Sequence, residues 1–325
     1  LEAGIHYLEQ SADLCQESMW KTHYEFMLSL HQQLAHAAIV NADQVRANEI
    51  VELSLKQVQS DIDKAEFLIE QSAAYAALGD LLKAIEIVSR ALVLLKRPLP
   101  VDDVEMQKEI EMQESRIQAQ DRDTIQALLD LPSAKTRLGV LVHKLYGELL
   151  GYYYLSMQLD GVRLTAYRAF DCSFEFGSDE FVAYALACMS YIQLLDSNEV
   201  MALRYESATL ALLKKHPDTF ASVKSKVIMV WAFTHRCNPI SEPRSYAAEI
   251  AAEGFRCGEL RYGALATCLK HWFGLFQADD IALLDSQLEK FCAFCQQCNL
   301  GMPLSIGEAM RISLRPLLGA STIEG

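Results

Sequence analysis

Apolar residues recur at three- and four-residue spacing along almost the whole chain, and this periodicity limits the fold more than any other feature. Ile5, Leu8, Ala12 and Cys15 follow it, as do Phe67, Leu68, Ala74 and Leu78, then Leu82, Ile85, Val88 and Leu92. Period-two alternation, which a half-buried strand needs, is scarce. The spacing predicts an all-α chain. Its breaks are short: Asn41-Ala42-Asp43, Gly79-Asp80, Arg97-Pro98-Leu99-Pro100, Leu131-Pro132, Asn238-Pro239, Glu242-Pro243 and Gly301-Met302-Pro303.

The helices repeat. Ser72 is followed by Tyr75, Gly79, Asp80, Ala84 and Ala91, the small-residue and turn spacing of a tetratricopeptide-type unit. Small residues let two helices approach closely, and Gly79-Asp80 supplies the tight turn. Ala35, Ala38, Ala42-Asp43, Ala47 and Ser54 hold the same register roughly one repeat earlier. Gly4 and Ser11 match the small positions of a second helix whose first helix is not in this chain. With the leading Leu1, this reads as a piece of a longer protein. A helix pair of this kind cannot bury its own apolar face, so the expected architecture is an α-solenoid superhelix of stacked pairs.

Composition narrows the function. Lys and Arg number 29 against 43 Asp and Glu, a formal charge of −14. That balance opposes sequence-independent nucleic-acid binding and docking on anionic lipid. No apolar run reaches a membrane span, and no signal-peptide pattern opens the chain. Nine scattered Cys read as reduced thiols of a cytoplasmic protein. Phosphate-cradle, dinucleotide, HExxH, GxSxG and HRD motifs are missing. No cofactor and no catalytic residue are therefore expected.

Between Pro98 and Asp130 the register fails, and nine acids face three bases. A thin apolar line, Met106, Ile110, Ile117, Ile125 and Leu128, predicts a solvated helix lying across the repeats or a spacer between two halves. The expected division is N-terminal repeats over 1–97, an acidic helical spacer over 98–136 and C-terminal repeats over 137–325. Three later pairs are expected. They are Ala183 to Leu195 with Val200 to Leu213, Phe220 to Arg236 with Arg244 to Gly258, and Tyr262 to Phe276 with Ile281 to Asn299.

Two local features are candidate sites. Cys292, Cys295 and Cys298 have the spacing of three ligands of an iron–sulfur cluster, but position 302 is Met where the fourth would stand. They also fall on an amphipathic helix with Leu284, Leu288 and Phe291, where Cys is an ordinary small core residue. The second feature is aromatic density around Tyr153, Tyr154, Trp231, His235, His271 and Trp272. Such residues either fill the core between repeats or offer a binding surface with a polar handle.

A longer series of residues resembles a known region. It runs through Trp20, Tyr24-Glu25, Leu30-His31, Ala47, Lys83-Ala84-Ile85-Glu86, Leu94-Leu95 and Leu99-Pro100. It continues with Leu128-Leu129-Asp130-Leu131-Pro132, Tyr154-Leu155, Phe181, Ala183-Tyr184, His235, Tyr262 and His271. In order and spacing this resembles the helical-repeat region that follows the STAND/AAA-type ATPase domain in large signalling proteins. Those proteins join a serine/threonine-kinase-like domain, an ATPase, a GAF domain and a histidine kinase. The chain departs from the pattern at Asn41-Ala42-Asp43, at Asp196-Ser197 and at Arg236.

The resemblance implies a non-catalytic sensor module of a signal-transduction kinase. Such a module binds a ligand or protein partner and relays its state to neighbouring domains. The alternatives are a free-standing scaffold for a peptide or protein helix, and a redox or metal protein built on the three cysteines.

Overall fold

The computed structural model describes residues 2–40, 43–100, 102–118, 122–217, 219–234, 236, 238–277 and 280–319. Among them are seventeen α-helices, one π-helical turn and one 3-10 turn. The only extended pairing among them is an isolated bridge between Ser133 and Ser178. The chain is all-α. No helix of the described residues is long and apolar enough to cross a membrane.

Two compact units form, Leu1–Arg122 with Leu131–Ser178, and Asp123–Asp130 with Asp179–Gly325. The first holds α1 (Glu2–Asp13), α2 (Met19–Thr22), α3 (Tyr24–Val40), α4 (Gln44–Leu55), α5 (Asp61–Ala77), α6 (Leu81–Leu94) and α7 (Asp103–Gln118). After α8 (Arg122–Leu129), which falls almost wholly in the second unit, come α9 (Arg137–Leu155) and α10 (Leu159–Phe176) of the first. Pairs α3–α4, α5–α6 and α9–α10 pack in sequence order, α4 against α5 and α6 against α9. Because α6 meets α9 directly, the acidic segment is an excursion from the stack. The division expected at 98–136 is therefore not where the compact units part.

The repeat residues sit where the sequence places them. Ala35, Ala38, Ala47, Ser54, Ser72, Ala84 and Ala91 are all buried. Gly79 takes a left-handed φ of 84°, which costs a glycine little. Asp80 then caps α6 by accepting from the Lys83 N–H at 3.0 Å, and Asp43 caps α4 from the Arg46 N–H in the same way. The turn residues Asn41 and Ala42 lie outside the described residues.

The second unit contains α11 (Glu180–Leu195), α12 (Glu199–Lys215), α13 (Phe220–Met229) and the π turn Val230–Thr234. It ends with α14 (Ser241–Cys257), α15 (Leu260–Phe276), α16 (Ile281–Gln297) and α17 (Gly301–Leu314). The expected pair α11–α12 forms, but the later pairing is one helix out of phase with expectation. The close partners are α14 with α15 and α16 with α17. The expected helix 220–236 stops at Met229, where the backbone passes into the π turn. By contrast α14 and α15 are joined by a two-residue turn in which Gly258 is left-handed. Gly254 and Gly263 bring those two backbones together: a Cβ on Gly254 would stand 2.8 Å from the Gly263 Cα.

Candidate binding groove

The first helices of the three pairs in the first unit, α3, α5 and α9, pack side by side. A groove of about 640 Å³ runs over them, with Ile69, Val140 and Leu141 supplying its apolar part. Polar residues at helical spacing line it: Gln32 and His36 on α3, Glu66 and Glu70 on α5, Arg137 and Lys144 on α9. Thr136 fixes the start of α9 by accepting from the Gly139 N–H at 3.1 Å, which places Arg137 in the first turn of α9.

The groove is pre-organised by charge. Arg137 donates to Asp63 at 2.6 Å and to both carboxylate oxygens of Glu66, at 2.8 and 2.5 Å. Gln32 donates to Glu66 at 2.7 Å, and the Tyr24 hydroxyl donates to Asp63 at 2.7 Å. Burial works to raise the Asp63 carboxyl, but Ser60, Tyr24 and Arg137 outweigh it and hold it below its ordinary value. The Tyr24 phenol is raised, by burial and by the neighbouring Asp63. Glu70 stands 3.2 Å from the His36 imidazole and 3.8 Å from the Lys144 ammonium. Its carboxylate raises the affinity of His36 for a proton. The arrangement offers amides, an imidazole, a carboxylate pair and half-exposed cations along one channel.

The residues singled out from sequence are distributed otherwise. Tyr153 is buried, and its ring fills the space over Gly161 where α9 and α10 close: a Cβ on that glycine would stand 2.4 Å from the ring. Tyr154 is half-buried beside it. Both belong to the first unit, whereas Trp231, His271 and Trp272 belong to the second. Trp231 is 45% exposed and Trp272 43% exposed, the latter edge-on to Phe276 at 5.7 Å. His271 is buried 6.0 Å from the Phe291 ring, and burial lowers its proton affinity to a value of about 4. His235 lies outside the described residues.

Cys292 and Cys295 turn into the core formed by α15, α16 and α17, and Cys298 is half-buried at the end of α16. Burial raises both buried thiols, Cys295 to about 12. Among the described residues no group of three or more His, Cys, Asp or Glu side chains is placed to hold a metal ion.

Sequence reasoning passed over Gln32, His36, Asp63, Glu66, Glu70, Arg137 and Lys144. The available signal was a polar stripe at three-, four- and seven-residue spacing on successive first helices, opposite the apolar stripe. No protein-family model matches the chain, and no curated protein matches it.

Proposed function

We propose that this chain is a non-catalytic, tetratricopeptide-like binding module of a large signal-transduction kinase. The groove over α3, α5 and α9 takes a segment of a protein partner and relays its occupancy to adjoining ATPase and kinase domains. One observation carries the binding reading. Gln32 meets Glu66 and His36 meets Glu70, and each pair is separated by 34 residues. Side chains one turn apart on α3 thus pair with side chains one turn apart on α5, so the two first helices present a continuous polar row along the groove. In such stacks the row of first helices is the surface open to a ligand. The signalling context rests on the sequence resemblance, and the all-α architecture agrees with it.

The test is selection from a random-peptide display library on the whole chain. Selected peptides should compete with one another and lose at least about tenfold in affinity in a His36→Ala/Lys144→Glu variant, a loss of roughly 1.4 kcal/mol. Peptides that bind the variant as well as the parent would overturn the groove. The genomic reading frame tests the context. Nucleotide-binding and kinase domains beside this region are expected, and their absence leaves the free-standing scaffold in its place.

A further inference from the structure

The acidic helix α7 is an excursion from the stack, and it lies on α10. Its contact with α10 is mostly charge. Arg168 donates to both oxygens of Glu109, at 2.7 Å for the second, and Arg163 donates to Glu114 at 2.5 Å. Arg116 of α7 returns a pair to Asp171 at 2.9 Å. Gln107 and Gln113 add amide bonds to Asp160 and Asp171. Among the α7 residues whose burial is described, Ile110 is the one buried apolar side chain; Met106 is half-buried, and Met112 and Val104 face outward. The apolar contact described for α7 is small beside its several arginine–carboxylate and amide pairs, and a network of such pairs adds to what holds the helix on α10.

What it covers has supports of its own. α10 is fixed to α9 through Gly161 and Tyr153, and α9 is fixed to α6. Beside α7 opens a cavity of about 630 Å³ whose walls include Arg97, Arg168, Tyr146 and Cys172. Arg97 is held there by Glu175 at 2.5 Å and by the Phe176 ring at 4.9 Å. Tyr146 and Cys172 are buried.

We propose that the Arg163 and Arg168 face of α10 is a docking surface for an acidic amphipathic helix. α7 is its resting occupant, and a partner's acidic helix displaces it. The occupant's chemistry is read from the one already seated: carboxylates five residues apart at the positions of Glu109 and Glu114, with an apolar residue between them at the position of Ile110. This surface is separate from the α3, α5 and α9 groove, and the proposal does not depend on that groove. Tethering in cis gives α7 a high effective concentration, so the site is closed until a competitor arrives or the charge pairs weaken.

The experiment uses the whole chain and a fluorescent peptide of residues 103–118. A Glu109→Gln/Glu114→Gln chain, whose own strap is weakened, should bind the peptide at least about tenfold more tightly than the parent. Adding Arg168→Glu should abolish that gain. Hydrogen exchange in α7 should accelerate by at least about tenfold between roughly 0.05 M and 1 M NaCl, while α9 stays protected. Alkylation of Cys172, followed by mass spectrometry, should accelerate with it, and that of the buried Cys188 in the second unit should not. Three results would each overturn the proposal: equal peptide affinity for the parent and the weakened strap, binding that survives Arg168→Glu, and α7 exchange that ignores salt. If the charge-neutralised chain loses helicity, the parent's salt titration alone still decides between a charge-held strap and a packed helix.

Discussion

The Arg137 guanidinium donates at 2.6 Å to the carboxylate of Asp63, which lies 74 residues earlier and is almost entirely buried. Removing the arginine leaves that carboxylate with Tyr24 and Ser60. We expect Arg137→Met to cost about 1–2 kcal/mol, the low end for a buried group that loses its partner, because Arg137 itself is half exposed and solvent-screened. Urea unfolding at pH 7 should show a lower midpoint with an unchanged slope. An Asp63→Asn/Arg137→Met double variant should lose less than the two single variants together.

The same pair sets an acid limit. The folded Asp63 carboxyl lies below its ordinary value, so the unfolded chain takes up the proton first as pH falls. The contribution is fully present above the unfolded value of about 3.9 and is lost as pH falls through the folded one. The stability gap between the parent and Arg137→Met should therefore close below about pH 4 in unfolding curves.

His271 gives the second unit an earlier loss. Burial, with smaller contributions from Lys270 and Arg244, lowers its proton affinity to a value of about 4, against 6.5 for a free imidazole. From pH 6.5 down to about 4 the unfolded chain binds a proton that the folded chain refuses, so stability falls across that window. The total loss is about 2–3 kcal/mol. Emission from Trp231 and Trp272, both in the second unit, should report a melting temperature that drops over this range. The drop should flatten in His271→Gln.

Gly254 and Gly79 make a contrast. Alanine normally strengthens a helix interior by up to about 1 kcal/mol over glycine. At Gly254 the added Cβ would meet the Gly263 backbone, and we expect a net cost of about 1–3 kcal/mol. Gly263→Ala, whose nearest neighbours are the Phe255 ring at 3.2 Å and the Ala251 carbonyl at 3.4 Å, should cost less. At Gly79 nothing lies within 4 Å, so Gly79→Ala should lose only the left-handed backbone penalty of about 1 kcal/mol. Thermal melts that rank Gly254→Ala as the mildest of the three would show that α14 and α15 are not in backbone contact.

Local rules carried the fold a long way. Gly79-Asp80 turns and caps as its chemistry demands, and the small residues from Ala35 to Ala91 are buried because two helices must close over them. The pairing phase after Phe220 escaped such rules. It depends on Gly254 and Gly263 meeting across a turn and on a π turn that periodicity does not announce. The groove was hidden for a different reason. Asp63, Glu66 and Arg137 are ordinary exposed-type residues until packing brings α5 and α9 together. The acids of α7 likewise read as solvated, and their partners Arg163 and Arg168 stand 49 and 59 residues away.

The direct packing of α6 against α9 also governs how the first unit assembles. Leu94 and Arg137 bracket an excursion of roughly forty residues, so α9 must find α6 across a large open loop before contacts reward the closure. Pairs α3–α4 and α5–α6 need only short-range contacts and can form on their own timescale. Closure of α9 onto α6 is then expected to be the slower step of that unit, and a shorter excursion is expected to speed it.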